Sequence, residues 1–258
     1  MRKLNLAKEI GNIHQFIKKN LKKSGLNHII IGLSGGIDSA VTCKLCCDAI
    51  GPKKIYAFML PSQKSEKVNL TDAIKLAEKY QIKYKIIQIT KLIEHYFNFF
   101  DNKANRLRIG NFAARIRMAI LYDMSKKHNG LVIGTGNKSE ILTGYFTQHG
   151  DGACAFEPLG HIYKTEVIRI AHKIGIPKNI INKKPSADLW QGQTDEAEMG
   201  ITYQELDEIL YHLYDCGESK ETVIKHGYDK NKIEKVINLK EKSEFKRNLP
   251  PIPTIIKD

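Results

Sequence analysis

Short apolar runs alternate with helix-length segments through the first half of this 258-residue chain. Four of the runs have the length of β-strands and cover residues 29–33, 55–60, 84–89 and 131–133. The segments between them carry apolar residues at helical spacing, as at Val68, Ala73 and Ala77. A helix between two strands returns the chain to the starting edge of the sheet, so consecutive strands pair in parallel. The alternation therefore predicts an α/β fold with a doubly wound, mostly parallel sheet and helices on both faces.

The composition is that of one ordinary domain. Apolar residues make up 42% of the chain, enough to bury one substantial core, and we expect a single domain over residues 1–258. The first helix, with apolar positions from Leu6 to Leu21, is expected to end near Gly25. No run approaches the roughly 18 apolar residues of a membrane span, and the N-terminus lacks the apolar stretch of a secretory signal. We therefore expect a cytoplasmic protein without a membrane partner.

The net charge of +13 raises the question of nucleic-acid binding. Lysines of the first helix and of the C-terminal third carry much of this charge, and solvated helix faces explain it, so nucleic acid is not the expected partner. Five cysteines form no even disulfide framework, and we expect free thiols. Cys43 and Cys46 form a Cys-x-x-Cys pair on an apolar helix, for which core packing is favoured over a metal site.

The first apolar run leads directly into Ser34-Gly35-Gly36-Ile37-Asp38-Ser39, a glycine-rich turn that opens a helix. Glycines let the backbone approach a phosphate, and serine hydroxyls and the free N–H groups of the helix donate hydrogen bonds to it. The lysine of a Walker loop is missing, and the glycine spacing differs from that of a dinucleotide fingerprint. A plain strand-to-helix turn with Asp38 as a helix-start residue is the alternative. We favour a phosphate-binding loop over residues 34–39.

A second glycine-rich turn, Gly134-Thr135-Gly136-Asn137-Lys138-Ser139-Glu140, follows the fourth apolar run. Asn137 and Glu140 have the spacing of a helix capping box. The turn is therefore equally consistent with a purely structural role and with a role in binding. In the functional interpretation, Thr135 contacts a nucleotide, and Glu140 joins Asp38 in holding Mg²⁺. Magnesium prefers a few carboxylates together with phosphate oxygens and water.

The Ser34 turn resembles the pyrophosphate-binding loop, Ser-Gly-Gly-x-Asp-Ser, of the ATP pyrophosphatase (PP-loop) superfamily, whose fold is adenine nucleotide alpha hydrolase-like. Members of this superfamily split ATP into AMP and pyrophosphate while adenylating a substrate oxygen. They include amide synthetases that use ammonia or glutamine, and transfer-RNA thiolases. The loop alone therefore indicates the reaction type and leaves the substrate open.

Four longer stretches narrow the resemblance, at residues 110–118, 143–154, 158–166 and 184–190. In this order they resemble the ammonia-dependent NAD⁺ synthetases, which amidate nicotinic acid adenine dinucleotide (deamido-NAD⁺). The likeness extends from the Ser34 loop to Arg247. Two long polar connections, 144–161 and 183–200, fall within it, and connections of this length are usually functional.

The resemblance implies a homodimeric ligase that forms a C–N bond. ATP with Mg²⁺ would convert the carboxylate of deamido-NAD⁺ into an adenylate, which ammonia attacks. The implied ATP-binding residues are Gly32, Leu33, Ser34, Gly35, Gly36, Ile37, Asp38, Ser39, Thr135, Lys164 and Ser186. The implied catalytic residues are Asp38 and Lys164, the metal ligands Asp38 and Glu140, and the deamido-NAD⁺ contacts Arg115, Gln148, Phe245 and Lys246.

Two positions depart from the family pattern, because some relatives have Lys where Gln148 stands and Asp where Ala155 stands. Gln148 can still form hydrogen bonds, whereas Ala155 offers only its backbone. No cysteine lies near the N-terminus to start a glutaminase, so free ammonia is the expected nitrogen donor. A transfer-RNA thiolase of the same superfamily is the alternative, suggested by the net charge and the Cys43–Cys46 pair.

Overall fold

The predicted strands form one parallel sheet in the computed structural model, which describes residues 2–63, 65–190 and 192–254. The strands are β1 (His28–Gly32), β2 (Ile55–Met59), β3 (Lys83–Ile86) and β4 (Gly130–Val132), and their order across the sheet is β3-β2-β1-β4. All neighbouring strands are parallel, and Ile29 of β1 lies beside Ile55 on one side and Leu131 on the other. The doubly wound sheet predicted from the sequence is confirmed.

The described part of the chain contains twelve α-helices. They are α1 (Leu6–Ser24), α2 (Ile37–Ile50), α3 (Lys67–Lys79), α4 (Thr90–Phe100), α5 (Arg106–His128), α6 (Lys138–Thr143), α7 (Lys164–Lys173), α8 (Lys178–Ile181), α9 (Asp195–Met199), α10 (Tyr203–Leu210), α11 (Lys220–Lys225) and α12 (Lys230–Lys242). Short 3-10 turns cover Pro52–Lys54 and Glu244–Lys246, and a π-helical segment covers Tyr211–Asp215. The first helix ends as predicted, with Gly25 in the left-handed conformation after its last turn.

Strand β1 is buried on both faces, and its alternate side chains enter different cores. Ile29 and Ile31 pack into the core shared with α1, α2, α3 and α7, whereas Ile30 packs into the core shared with α4 and α5. None of the three is exposed to solvent. A strand covered on both faces has no polar side, which explains the continuous apolar run in the sequence.

The third predicted strand is shorter than its apolar run. Residues 87–89 lie beyond β3, where Ile87 N–H donates to the Met59 carbonyl oxygen and Ile89 N–H to that of Pro61. Thr90 then begins α4. The assignment of 84–89 to one strand was therefore wrong at its end, because the apolar run also contains the residue that anchors the next helix: Ile89 is completely buried.

The C-terminal third forms a second apolar core that the sequence analysis did not place. Its members come mainly from α9 to α12 and include Leu206, Leu210, Ile233 and Val236, each completely buried. Tyr163, which lies just before α7, belongs to the same core. The lysines of this region lie on the outside of helices that have a buried face. This packing fixes the start of α7 relative to the sheet.

The order of the strands reverses between β1 and β4, since the chain moves outward through β2 and β3 and then returns to the other side of β1. In open α/β sheets, ligands bind in the crevice outside the carboxyl ends of the strands at such a point. The Ser34 loop follows β1 and the Thr135 turn follows β4, so the two glycine-rich turns flank this crevice. None of the helices in the described residues has the length and apolarity needed to cross a membrane.

Candidate active site

A cavity of about 690 Å³ opens at the carboxyl ends of the strands, where the loops after β1 and β4 meet. Small-molecule sites typically have roughly 300–1,000 Å³. The lining includes most of the predicted ATP and metal ligands: Gly32, Leu33, Ser34, Gly36, Ile37, Asp38, Ser39, Thr135, Glu140, Lys164 and Ser186. The fold thus brings these residues from distant parts of the chain to one cavity, while their individual roles remain predictions.

The Ser34 loop can accept an anion at the N-terminus of α2. Gly36 precedes the helix in an extended conformation and has no side chain to cap the N–H groups of the first turn. The hydroxyls of Ser34 and Ser39 lie 3.1 Å apart, and Ser39 Oγ donates to the Gly36 carbonyl oxygen at 3.0 Å. Uncapped N–H groups and the helix dipole together favour a phosphate at this point.

Gly35 lies where a side chain has no room. Its φ is +84°, and a Cβ at this position would lie 2.1 Å from the Asn69 carbonyl oxygen. Lys183 joins the same two residues, because its Nζ donates to the Gly35 carbonyl oxygen (3.1 Å), Asn69 Oδ1 (2.7 Å) and Asp72 Oδ2 (2.6 Å). The loop is therefore fixed to α3 by a lysine from the polar connection 183–200.

We expect Gly35→Ala to weaken ATP binding at least about tenfold, because small displacements of a positioning loop are costly. It should also lower the free energy of unfolding by about 1–3 kcal/mol, since the backbone must leave its left-handed conformation and move away from Asn69. Calorimetric ATP titration and thermal unfolding measure the two effects. Gly11→Ala in α1 is the matched control: its Cβ meets nothing within 4 Å, and alanine in a helix should stabilise by about 0.5–1 kcal/mol. Unchanged ATP affinity in Gly35→Ala would contradict the loop assignment.

Asp38, Glu140 and Lys164 converge at the centre of the cavity. Lys164 Nζ donates to Asp38 Oδ2 at 2.5 Å and to Glu140 Oε1 at 3.1 Å, although its own side chain is only 2% exposed. Asp38 Oδ1 also accepts a hydrogen bond from Asn137 Nδ2 at 3.0 Å. Asn137 and Glu140 form the predicted capping box at the start of α6. The structural interpretation of this turn is confirmed, and Glu140 uses one oxygen for the cap and the other for Lys164. The nucleotide contact of Thr135 and the metal-binding role of Glu140 stay predictions.

The charges of this cluster depend on one another. Burial raises the pKa of Glu140 to about 8, and Asp38 adds to this shift while Lys164 opposes it. Burial alone would lower the pKa of Lys164, but the charges of Asp38 and Glu140 outweigh it and hold that pKa above its ordinary value. Lys164 is therefore a permanent cation, and its position beside the phosphate loop suits it to a negatively charged ligand.

A buried network holds Lys164 in this position. Its backbone N–H donates to Ser139 Oγ at 2.9 Å, and Ser139 Oγ donates in turn to Asp207 Oδ1 at 2.5 Å. Lys164 Nζ also lies over the ring of Tyr203, 5.1 Å from its centroid, and the Tyr203 hydroxyl donates to Asp195 Oδ2 at 3.0 Å. The second apolar core thus contributes directly to the site through α10.

The two arginines of α5 have different surroundings. Arg115 is exposed, and its Nε donates to the Gln148 carbonyl oxygen at 3.3 Å. Arg117 lines the cavity, where its Nε donates to the Leu60 carbonyl oxygen at 3.0 Å. Burial lowers the pKa of Arg117, and the more distant Asp188 partly opposes this shift. Arg117 is thus the arginine that the cavity presents, and the assignment of substrate binding to Arg115 stays a prediction.

Of the four residues predicted to contact deamido-NAD⁺, Lys246 lines the cavity. Its Nζ donates to the carbonyl oxygens of Gly144 at 2.7 Å and Phe146 at 2.8 Å. The side chain thereby holds the connection that follows α6. Phe245 is 62% exposed, and neither it nor Gln148 belongs to the lining. Their substrate contacts stay predictions.

The profile of the NAD synthase family matches residues 9–250. The chain belongs to the NAD synthase family. A curated relative, the NH(3)-dependent NAD(+) synthetase of Fusobacterium nucleatum, is 44% identical over 257 residues, which are 99% of each chain. The family resemblance read from the Ser34 loop and the four longer stretches is confirmed.

Solved structures of similar proteins have the same fold. The NH3-dependent NAD synthetase from Campylobacter jejuni, in complex with the nitrate ion, has a TM-score of 0.84 and 35% identity over 98% of this chain and 100% of that one. The NMN synthetase from Francisella tularensis has a TM-score of 0.88 and 33% identity over 98% of this chain and 100% of that one. Both chains are matched along their whole length, so the similarity includes the cavity and the C-terminal helices.

Two cavity residues of this NAD synthase were missed by sequence reasoning. Lys183 directly precedes one of the quoted family stretches, but nothing in the sequence indicates that its partners are Gly35 and Asp72 in distant segments. Arg117 lies two residues after Arg115 on α5, and residues at this spacing face different directions of a helix. The spacing could not decide which of the two faces the cavity.

Proposed function

We propose that this NAD synthase is a ligase that makes NAD⁺ from deamido-NAD⁺, ATP and ammonia, releasing AMP and pyrophosphate. The observation that carries the proposal is the convergence of Asp38, Glu140 and Lys164 beside the uncapped N-terminus of α2. Such a site suits the cleavage of a triphosphate. The names of the curated relatives support ammonia as the nitrogen donor and NAD⁺ as the product, and deamido-NAD⁺ is the acid that corresponds to this amide.

In the first step, a carboxylate oxygen of deamido-NAD⁺ attacks the α-phosphorus of ATP, and the bond to the β-phosphate breaks with its electrons going to pyrophosphate. Both reactants are anions, so the barrier arises from their repulsion and from the charge that builds on the leaving group. The Ser34 and Ser39 hydroxyls and the first N–H groups of α2 stabilise this charge. Lys164 contributes a cation that is already fixed in place by its buried network.

The residues around Lys164 fit a magnesium site. Asp38 and Glu140 both reach the same ammonium group, so their oxygens converge on one region beside the phosphate loop. Mg²⁺ takes a small number of carboxylates and fills its remaining positions with phosphate oxygens and water. We propose that Asp38 and Glu140 hold Mg²⁺ when ATP is bound. A bound Mg²⁺ supplies positive charge to the phosphate oxygens.

In the second step, ammonia adds to the acyl carbon of the adenylate, AMP leaves with the electrons of the C–O bond, and the surplus proton passes to solvent. The adenylate must be kept from water before ammonia arrives. Residues 183–190 and 192–195 of this connection line the cavity, where Leu189 approaches Gly110 of α5 and Asp188 accepts a hydrogen bond from Glu66 N–H at 3.2 Å. We propose that this connection shields the adenylate.

An assay of the purified protein with ATP and Mg²⁺ tests the proposal. Deamido-NAD⁺ and nicotinic acid mononucleotide are compared as acids, because an NMN synthetase is among the similar structures. Ammonium and glutamine are compared as nitrogen donors. We expect NAD⁺ and pyrophosphate in equal amounts from deamido-NAD⁺ and ammonium, with little turnover of the mononucleotide or with glutamine. The proposal would be contradicted if the protein converted nicotinic acid mononucleotide but not deamido-NAD⁺. It would also be contradicted if the protein used glutamine but not ammonium.

Transfer-RNA thiolation, the alternative from the sequence, is not favoured. Cys43 and Cys46 are completely buried in α2. Burial raises the pKa of the Cys46 thiol well above its ordinary value. The pKa of Cys43 is also raised, by a hydrogen bond with Cys47 and by burial. A thiolase needs an accessible thiolate, and core packing was the correct interpretation of this pair.

We also propose that the enzyme is a homodimer that works in the cytoplasm, where ATP is available and its five free cysteines stay reduced. A second copy would cover an exposed apolar surface formed by α4 and the start of α5. Its members are Leu92, Tyr96, Phe99, Phe100 and Leu107, with exposures between 39% and 75%. The ring of Phe100 contacts the rings of Tyr96 and Phe99, and groups of exposed apolar side chains are typical of interaction sites.

We expect the double variant Phe99→Glu/Phe100→Glu to be monomeric, with the dimer dissociation constant raised at least about a hundredfold, because buried aromatic anchors dominate such interfaces. Light scattering over a range of protein concentrations measures the change. Leu249→Glu is the control, since Leu249 is 89% exposed and lies far along the chain from α4. A double variant that remains dimeric would show that α4 is not the interface.

A further inference from the structure

A second cluster of chemically reactive side chains lies outside the cavity, where α10 ends. One ligand atom from each of His212, Cys216 and Glu218 lies within 4.8 Å of the other two. Glu218 Oε1 is 3.1 Å from His212 Nδ1, and Glu218 Oε2 is 2.8 Å from His226 Nε2. None of these four residues lines the proposed active site. The ligase reaction therefore leaves the cluster without a role.

The local backbone brings these side chains together. His212 lies in the π-helical segment Tyr211–Asp215, and Cys216 follows four residues later on the same face. The Cys216 N–H donates to the Tyr211 carbonyl oxygen, and the Glu218 N–H to the His212 carbonyl oxygen, both at 3.0 Å. Gly217, with a φ of +68°, allows the turn between them. Single π-helical turns of this kind are frequently found at functional sites.

The set of donors selects the class of metal. One imidazole nitrogen, one thiolate sulfur and one carboxylate oxygen are ligands of Zn²⁺, whereas Mg²⁺ and Ca²⁺ take oxygen ligands almost entirely. Zinc bonds of about 2.0–2.3 Å in a tetrahedron place the ligand atoms about 3.3–3.8 Å apart. The cluster, with its atoms within 4.8 Å of one another, needs to contract by only about 1 Å.

We propose that His212, Cys216 and Glu218 bind Zn²⁺, with water or His226 in the fourth position. His226 already contacts the carboxylate of Glu218, and its ring lies 4.8 Å from that of His212. With His226 as the fourth ligand, the metal would join the segment after α10 to the end of α11 and so stabilise the second apolar core. The sequence did not reveal the site, because His226 stands at a distance from the other three that matches no common zinc motif.

Cobalt is a suitable probe, because Co²⁺ occupies zinc sites and a thiolate ligand gives it an intense charge-transfer absorption. The reduced full-length protein, freed of metal with a chelator, is titrated with Co²⁺ and then with Zn²⁺. We expect one Co²⁺ per chain, a charge-transfer band that Zn²⁺ removes, and a rise in melting temperature with Zn²⁺. Absence of the band at one equivalent of Co²⁺ would overturn the proposal.

Matched cysteine variants locate the ligand. In Cys216→Ser the charge-transfer band should be lost and Zn²⁺ affinity should fall at least about tenfold. Cys47→Ser removes a partly accessible thiol on α2 and should leave the charge-transfer band and the Zn²⁺ affinity unchanged. His212→Ala tests the imidazole in the same way. A band that persists in Cys216→Ser, or disappears in Cys47→Ser, would assign the thiolate elsewhere and contradict the site. NAD⁺ synthesis should not differ between Cys216→Ser and the unmodified protein.

Discussion

Replacement of Lys164 by methionine is expected to lower the rate of pyrophosphate release by about 10³-fold, with little change in the affinity for deamido-NAD⁺. Removal of one group that stabilises transition-state charge typically costs 10²–10³-fold, and here two carboxylates would be left facing the triphosphate. Methionine keeps most of the side-chain volume, so the expected loss of activity does not arise from a new cavity in the packing. Single-turnover measurement of pyrophosphate, with and without ammonium, separates adenylation from amide formation.

The same substitution should lower the free energy of unfolding by about 3 kcal/mol, because it leaves buried carboxylates without their cation. Glu140 limits this loss, since burial already raises its pKa to about 8 and it can take up a proton. Lys138→Met is the matched control: Lys138 pairs with Asp215 outside the cavity. We expect this control variant to release pyrophosphate at a rate within about twofold of that of the unmodified protein. A Lys164→Met protein that kept a tenth of the original rate would exclude the proposed role.

Replacement of Asp38 by asparagine is expected to have the second largest effect, again about 10³-fold on pyrophosphate release. The amide keeps the shape of the side chain and can still pair with Asn137, but it removes the charge opposite Lys164 and one of the two proposed magnesium ligands. Together with the fall in rate, the Mg²⁺ concentration that gives half of the maximal rate should increase. Steady-state assays over a range of Mg²⁺ concentrations measure both changes.

Asp48→Asn is the control for this variant, because Asp48 lies on the same helix and pairs with Lys44 at the surface. It should leave the rate and the Mg²⁺ dependence unchanged. The double variant Asp38→Asn/Lys164→Met should lose little more activity than either single variant, since residues that act as one unit are not additive. Strict additivity of the two losses would indicate that Asp38 and Lys164 act in separate steps.

The parts of the site that are local in sequence could be predicted. The Ser34 loop and the Thr135 turn each follow a buried strand, and the carboxyl ends of parallel strands share one edge of the sheet. The capping box could be predicted from the spacing of Asn137 and Glu140 alone. These features depend on the short-range geometry of strands, turns and helix ends, which the residue types directly restrict.

The parts of the site that depend on long-range packing could not be predicted from the sequence. The contact between Lys183 and Gly35 joins segments far apart in the chain, and a lysine in a polar connection has no local signal for a buried partner. The choice between Arg115 and Arg117 depends on the rotation of α5, which its packing against the sheet sets. The second core was missed because the many lysines of the C-terminal third obscured the apolar spacing, as at Ile233 and Val236.

The fate of one oxygen atom tests the central claim most directly. Deamido-NAD⁺ labelled with ¹⁸O in its nicotinate carboxylate is converted with unlabelled ATP and ammonium, and the products are analysed by mass spectrometry. The carboxylate oxygen that attacks the α-phosphorus must leave with AMP, so the account predicts label in AMP, in an amount equal to the NAD⁺ formed, and none in pyrophosphate. Label in inorganic phosphate with formation of ADP, or NAD⁺ formed without label in AMP, would contradict it.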